Sequence, residues 1–226
     1  MNTDLFQFLR ELRAHNHREW FHDNKKRYDA LHAQFVDCVQ QLIDRIAAFD
    51  PEIAGLEPKS CIYRIYRDIR FSPDKTPYKT HFGAYMTGAG GRTSPYAGYY
   101  VHLEPDGAFL SGGVWCPPQP LLKKLRQDIF DSMDEFVKII EDKAFKATYP
   151  ELEGEMLKRM PPGFPPGSPY DYVLRHRDFI VSSSKPESFF CTAGWIDRAA
   201  EDFKTLQPFN RFLNYTVSEF FGKANL

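Results

Sequence analysis

Eighteen residues from Arg64 to His81 carry five cations, Arg64, Arg67, Arg70, Lys75 and Lys79, against two acids, Asp68 and Asp74. The segment is positive by three charges, while the whole chain has a formal net charge of −1, so the remainder sums to −4. A guanidinium presents a planar fork of donors that fits carboxylate or phosphate oxygens two at a time, and an ammonium adds a point charge. Asp68 and Asp74 can orient arginines and leave other donors free. Pro73 and Pro77 stiffen the segment and lower the entropic cost of holding these side chains in place. Such chemistry suits a small anionic ligand, phosphorylated or carboxylated. Arg64, Arg67, Asp68, Arg70, Asp74, Lys75, Tyr78 and Lys79 are the candidate binding residues. The same charges would also serve as ion pairs that tie a long loop to a sheet, through Arg67–Asp68–Arg70 and Asp74–Lys75. The sequence leaves both readings open.

Two histidines are weaker candidates for catalysis. If segments 82–87 and 98–103 pair across the glycine-rich stretch between them, His81 and His102 sit nearly opposite one another. Two imidazoles near Tyr100 and Arg70 can move protons or ligate a metal. Two ligands are one short of the usual three, so neither a metal nor a cofactor is expected. Glu19 with His22 and Asp29 with His32 have the i, i+3 spacing of bundle metal sites, but they share one helical region and cannot converge. The four cysteines, Cys38, Cys61, Cys116 and Cys191, form no C-x-x-C pair, and reduced thiols are expected. The zincin, P-loop and nucleophile-elbow motifs do not occur.

The elements that position these residues follow from periodicity. Leu5, Phe8, Leu9 and Leu12 predict a helix over 3–14, capped by Thr3 or Asp4. Tyr28, Leu31, Phe35, Val39, Leu42, Ile43 and Ile46 form one stripe of a helix over about 24–49, which Asp50-Pro51 ends. Near Ser60 the pattern changes. Residues 62–66, 82–87, 98–103 and 108–115 read as strands, with a flexible loop over 88–95 and a turn at Glu104–Gly107. Helices follow over 117–142, with a restart at a capping-box pattern from Ser132 to Glu135. The Pro/Gly stretch 161–169 is an ordered loop, 179–183 a further strand, and the C-terminal part helical. The expected fold is α+β. An antiparallel sheet core over about 62–115, plus a later strand, is flanked by N-terminal, middle and C-terminal helices in one domain, 1–226.

Composition narrows the function classes. A 26% charged chain with near-zero net charge lacks the positive excess of a general nucleic-acid binder, although Tyr66, Phe71 and Tyr78 interleave the basic run. No apolar stretch approaches bilayer length, and the N-terminus has no signal-like apolar region, so a cytoplasmic location without membrane partners is expected.

The run from Arg67 to His81 resembles the signature of the domain-of-unknown-function family numbered 2461, found in bacteria and fungi. Phe8-Leu9, Asn16, Glu19-Trp20-Phe21, Asn24-Lys25 and Tyr28 are similar to its N-terminal stretch. Gly98–Leu103, Gly112–Trp115 and Pro117 resemble its middle, and Arg126, Ile129, Pro162-Gly163-Phe164 and Pro208 its later landmarks. The resemblance implies a single domain and no particular activity. The expectation is therefore a binding or enzymatic domain for a small anion at the basic cluster. The alternative is a non-catalytic protein that grips an acidic partner with the same surface. Oligomeric state stays open.

Overall fold

The protein is described by a computed structural model covering residues 2–88 and 90–223, so Ala89 of the loop expected over 88–95 lies outside the described residues. The helices are α1 (Thr3–Ala14), α2 (Arg18–Asp23), α3 (Lys25–Ala47), α4 (Pro58–Cys61), α5 (Gln119–Asp131), α6 (Met133–Ile140), α7 (Lys143–Thr148), α8 (Asp171–Arg175), α9 (Glu187–Cys191) and α10 (Trp195–Lys223). The strands are β1 (Phe82–Met86), β2 (Gly98–Leu103), β3 (Phe109–Val114), β4 (Leu152–Glu153) and β5 (Phe179–Ser184). All pairings are antiparallel, in the order β1-β2-β3-β5-β4. The fold is α+β with helices flanking the sheet, as the change of pattern near Ser60 predicts.

Strand alternation divides the sheet into two unlike faces. Tyr99, Val101 and Leu103 of β2 are fully buried, and their face receives the two long helices. Phe35 of α3 meets Phe82 edge-on at 5.3 Å, and Phe203 of α10 meets Tyr99 at 5.4 Å. The stripe foreseen on α3 is the buried one: Leu31, Phe35, Val39, Leu42, Ile43 and Ile46. Tyr100, His102, Phe109, Ser111 and Ser182 fall on the opposite, more polar and partly open face. Gly112 and Gly113 let β3 fit between its neighbours. A Cβ on Gly112 would lie 2.3 Å from Leu206 Cδ2 of α10, and one on Gly113 2.0 Å from Phe179 O. Gly113 also has φ +109°, a conformation open to glycine.

Several local expectations are corrected. Residues 62–66 form no strand. The segment makes only isolated bridges, Ile62 with Ala84 and Tyr66 with Tyr78. Arg67 N donates to Pro77 O at 3.0 Å, but Pro77 has no N–H to return the bond, and the ladder stops there. Neither Thr3 nor Asp4 caps α1. Asn2 occupies that position, and its side-chain amide donates instead to Phe190 O at 2.8 Å. The helix does restart at Ser132, but no side-chain cap forms. Pro208 lies inside a continuous α10. The proline-rich loop is anchored by buried Phe164, which meets Phe130 of α5 at 5.5 Å. The cysteines are all free, with Cys38 and Cys61 buried.

Candidate functional site

The basic run divides between two sides of the structure. On one side its acids neutralise their neighbours. Arg70 grips Asp68 with two bonds, Nε to Oδ1 at 2.9 Å and Nη2 to Oδ2 at 2.6 Å. Arg67 donates to Asp74 and to Thr76 Oγ1, while Asp74 Oδ1 accepts from Thr76 N at 2.9 Å. Hydrogen bonding to Arg70 lowers the Asp68 pKa to about 2. The Thr76 backbone, then Arg67, does the same for Asp74. Both pairs are exposed to water, with 76% of the Arg70 side chain accessible. Lys75 donates to Ile69 O at 2.9 Å. Tyr78 is buried and stacked on Phe21 of α2 at 4.0 Å; the Asn16 side-chain amide donates from Nδ2 to Tyr78 O at 3.0 Å and accepts at Oδ1 from Tyr78 N at 3.1 Å. Arg67 and Tyr78 line a cleft of about 520 Å³ together with Arg18, His22 and Lys25.

On the other side Lys79 has no acid paired with it, and exposed Arg64 lies within electrostatic reach of both Lys79 and Asp68. Lys79 is half-buried, and its Nζ lies 5.2 Å from the centre of the Tyr63 ring. Burial lowers its pKa, and the charges that add to the shift are both cationic, Arg64 and Arg92. Among the described residues, no carboxylate forms an ion pair with Lys79. Arg92 comes from the loop between β1 and β2 and is held by bonds to Lys59 O and Ser60 O at 3.2 and 2.9 Å. Tyr63 in turn meets Tyr100 of β2 at 6.2 Å, edge to face.

Tyr100 opens a hydrogen-bonded chain along the polar face of the sheet. Its hydroxyl lies 2.8 Å from His102 Nδ1, and His102 Nε2 lies 3.2 Å from Glu104 Oε2. Residues i, i+2 and i+4 of an extended chain share a face, so β2 and its continuation align these three side chains directly. The carboxylate fixes the tautomer: it accepts from Nε2–H, which leaves Nδ1 to accept from the phenol. Thr80 Oγ1 donates to Glu104 Oε1 at 2.6 Å, and Arg13 Nη2 stands 3.6 Å from the same oxygen. Burial opposes the charge on Glu104, but the bonds from Thr80 and His102 outweigh it and lower its pKa.

His81 completes the group. Its ring lies 4.3 Å from that of His102, which stacks on Phe109 at 4.5 Å. The register sets Gly83, not His81, opposite His102; His81, two residues earlier on the same face, reaches His102 diagonally across the space that Gly83 leaves. Burial, then His102, lowers the His81 pKa to about 4. Burial likewise outweighs the Glu104 bond at His102 and lowers its pKa. Both imidazoles are neutral at neutral pH. Lys79 contributes to the His81 shift, which places that ammonium beside the histidine pair.

Of the candidate residues, the structure joins Lys79 to His81 and His102, leaves Arg64 exposed within electrostatic reach of Lys79 and of Asp68, and sets Arg67 and Tyr78 on the cleft. Asp68, Arg70, Asp74 and Lys75 lie in exposed pairs or turns. Sequence reasoning missed Glu104, Tyr63 and Arg92. The period-two spacing of Tyr100, His102 and Glu104 was the available signal for Glu104; the other two arrive through loop geometry. Of the two i, i+3 pairs on the helical front, Glu19, His22 and Asp29 are exposed, whereas His32 is half-buried against the rings of Tyr28 and Phe82. No helix of the described residues is long and apolar enough to cross a membrane.

No curated protein and no solved structure matches the chain. A family model does match, over most of the sequence, and it is the model of the family that the sequence resembles. The model of the family described as "Conserved hypothetical protein (DUF2461)" matches residues 4–212, and the chain belongs to that family.

Proposed function

We propose that the protein binds a small phosphorylated or carboxylated molecule on the polar face of the sheet, beside Lys79, Arg64 and Arg92. The observation that carries this reading is Lys79. A half-buried ammonium whose neighbouring charges are both positive is an electrostatic liability to the folded chain, and an anion removes it. Tyr63, beneath the ammonium at 5.2 Å, and Tyr100, edge-on to Tyr63, put aromatic surface beside these polar groups.

The adjoining residues suit proton transfer. Glu104 orients His102, and His102 accepts from the Tyr100 hydroxyl, an arrangement of acid, imidazole and hydroxyl with the roles of a catalytic triad. Burial raises the Tyr100 pKa, so the phenol stays protonated and serves as a donor with a base behind it. His81, neutral and 4.3 Å from His102, is a second acceptor. An enzymatic reading assigns acid–base work to Tyr100, His102 and His81, with Lys79 and Arg64 holding the anionic group.

Calorimetric titration of a panel of phosphomonoesters and carboxylates tests the reading. Lys79→Met and Arg64→Ala are expected to weaken binding at least tenfold, roughly 1.4 kcal/mol, while Arg67→Ala leaves it unchanged. Loss of binding in Arg67→Ala with Lys79→Met unaffected would instead assign the ligand to the cleft at Arg18, Lys25 and Arg67.

A second reading, a non-catalytic protein gripping an acidic partner, is favoured by Phe71. It is 94% exposed at the tip of the charged loop, with the Arg70 guanidinium 5.9 Å from its ring centre. An aromatic so exposed beside cations is a natural anchor for a partner. Phe71→Ala would then abolish partner capture and leave small-anion binding intact.

A further inference from the structure

The expectation that the chain holds no metal counts only two ligands, His81 and His102, on this face, beside cysteines without a C-x-x-C pair. The fold adds a third donor. One ligand atom each from His81, His102 and Glu104 lie within 4.8 Å of one another. His102 Nε2 and Glu104 Oε2 are 3.2 Å apart, close to the roughly 3.4 Å between donors of a tetrahedral site with bonds near 2.1 Å.

The atoms behind these donors are held in place. A ligating imidazole needs a partner on its other nitrogen, and His102 Nδ1 has Tyr100 Oη at 2.8 Å. A ligating carboxylate needs its other oxygen fixed, and Glu104 Oε1 accepts from Thr80 Oγ1 at 2.6 Å. The Phe109 ring fixes the plane of His102. Outer partners for two of three ligands are therefore built before any ion arrives. Two imidazoles and one carboxylate are also a donor set that divalent transition metals take readily.

We infer that His81, His102 and Glu104 form a binding site for a divalent transition-metal ion of the zinc class. On entry the imidazole proton of His102 moves from Nε2 to Nδ1, where Tyr100 Oη accepts it, so this ligand binds without changing its charge. The Tyr100 hydroxyl turns from donor to acceptor, which a phenol does equally well. Three protein ligands leave a fourth position to water or to an oxygen of a bound molecule. Lys79 and Arg13 oppose the ion electrostatically and Glu104 favours it. The inference does not need the anion of the preceding subsection, because metal uptake is measured in its absence.

The test uses the full chain, stripped with a chelator, and titrates Zn2+ and Co2+ in a buffer free of phosphate and carboxylate. One ion per chain is expected. Bound Co2+ should give the intense visible bands of four-coordinate geometry and shift the ring signals of two histidines. Glu104→Gln and His81→Asn should each weaken uptake at least tenfold, and His22→Ala and Cys116→Ser should not. Melting of each variant without metal separates loss of the site from loss of the fold. If the first two variants do not fold, the wild-type Co2+ spectrum and histidine count decide alone. No uptake, bands of hexaaqua type, histidine shifts at His22 or His17, or uptake that persists in folded Glu104→Gln would each overturn the inference. Zinc uptake with no phosphomonoester binding would sustain it and defeat only the anion reading.

Discussion

Replacing Lys79 by methionine removes one charge and little volume, and the surroundings of the ammonium set the energetic outcome. The change forfeits the contact between the ammonium and the Tyr63 ring at 5.2 Å, worth about 0.5–1 kcal/mol at a partly exposed position. It relieves repulsion from Arg64 and Arg92, each screened to about 0.2–1 kcal/mol, and restores the solvation that burial costs the ammonium. A methionine keeps contact with the aromatic face through its thioether. The balance lies between no change and a gain of about 1 kcal/mol, and for a chain of this size 1 kcal/mol moves Tm by about 2–4 °C. The variant should therefore melt at or slightly above the wild type. Ligand changes the comparison. At about 100 times Kd, binding stabilises a folded protein by about 2.7 kcal/mol, so the wild type should gain about 5–10 °C and Lys79→Met nothing. Scanning fluorimetry with and without phosphomonoesters reads both quantities. A variant destabilised by about 3 kcal/mol, the cost of orphaning a buried ionic partner, or one that keeps the full ligand-dependent rise, would refute the reasoning.

Packing and charge set further outcomes. Gly113→Ala must move backbone, since its Cβ would lie 2.0 Å from Phe179 O at φ +109°. A loss of at least about 2 kcal/mol in urea unfolding is expected, and a near-neutral result would contradict the β3–β5 register. Arg70→Ala removes an exposed pair and should leave Tm unchanged; a marked fall would show that the loop depends on it. Stability should decline as pH falls below about 6.5, the unfolded histidine value. His81 and His176 are held neutral by burial, with the His81 pKa at about 4. Their folded values lie below the unfolded one, so the contribution is complete above 6.5 and is lost on the way down to about 4. Urea midpoints measured across that interval should slope less in His81→Asn, and less again with His176→Asn added, while His102 and His32, which burial also holds below the usual value, keep the remainder; an unchanged slope in the double variant would contradict the assignment.

The fold was legible where periodicity is strong. The stripe from Leu31 to Ile46 reads directly as α3, and the strands on either side of the 88–95 loop follow from its cluster of glycines between two short segments rich in aromatic residues. Residues 62–66 carry the composition of a strand, but strand formation needs a partner that can donate, and Pro77 cannot. At the site, the positive excess in the Arg64–His81 run was visible, but its division was not. Sequence neighbours Asp68 and Asp74 pair with Arg70 and Arg67, whereas Lys79 meets cations brought by Arg64 and Arg92, the latter from a separate loop. The nearness of His81 and His102 followed from hairpin pairing. Glu104 was read only as the start of a turn, although its spacing from His102 and Tyr100 already placed all three on one face.

An anion beside Lys79 and the histidine pair is the central claim, and each cationic surface carries its own reporter. His81 and His102 adjoin Lys79, while His22 lines the cleft with Arg18, Lys25 and Arg67. Two-dimensional spectra of 15N-labelled histidine rings, recorded during titration with a phosphomonoester, separate them. Saturable shifts at His81 and His102 with His22 unmoved are expected; shifts confined to His22, or none at any ring, would contradict the claim.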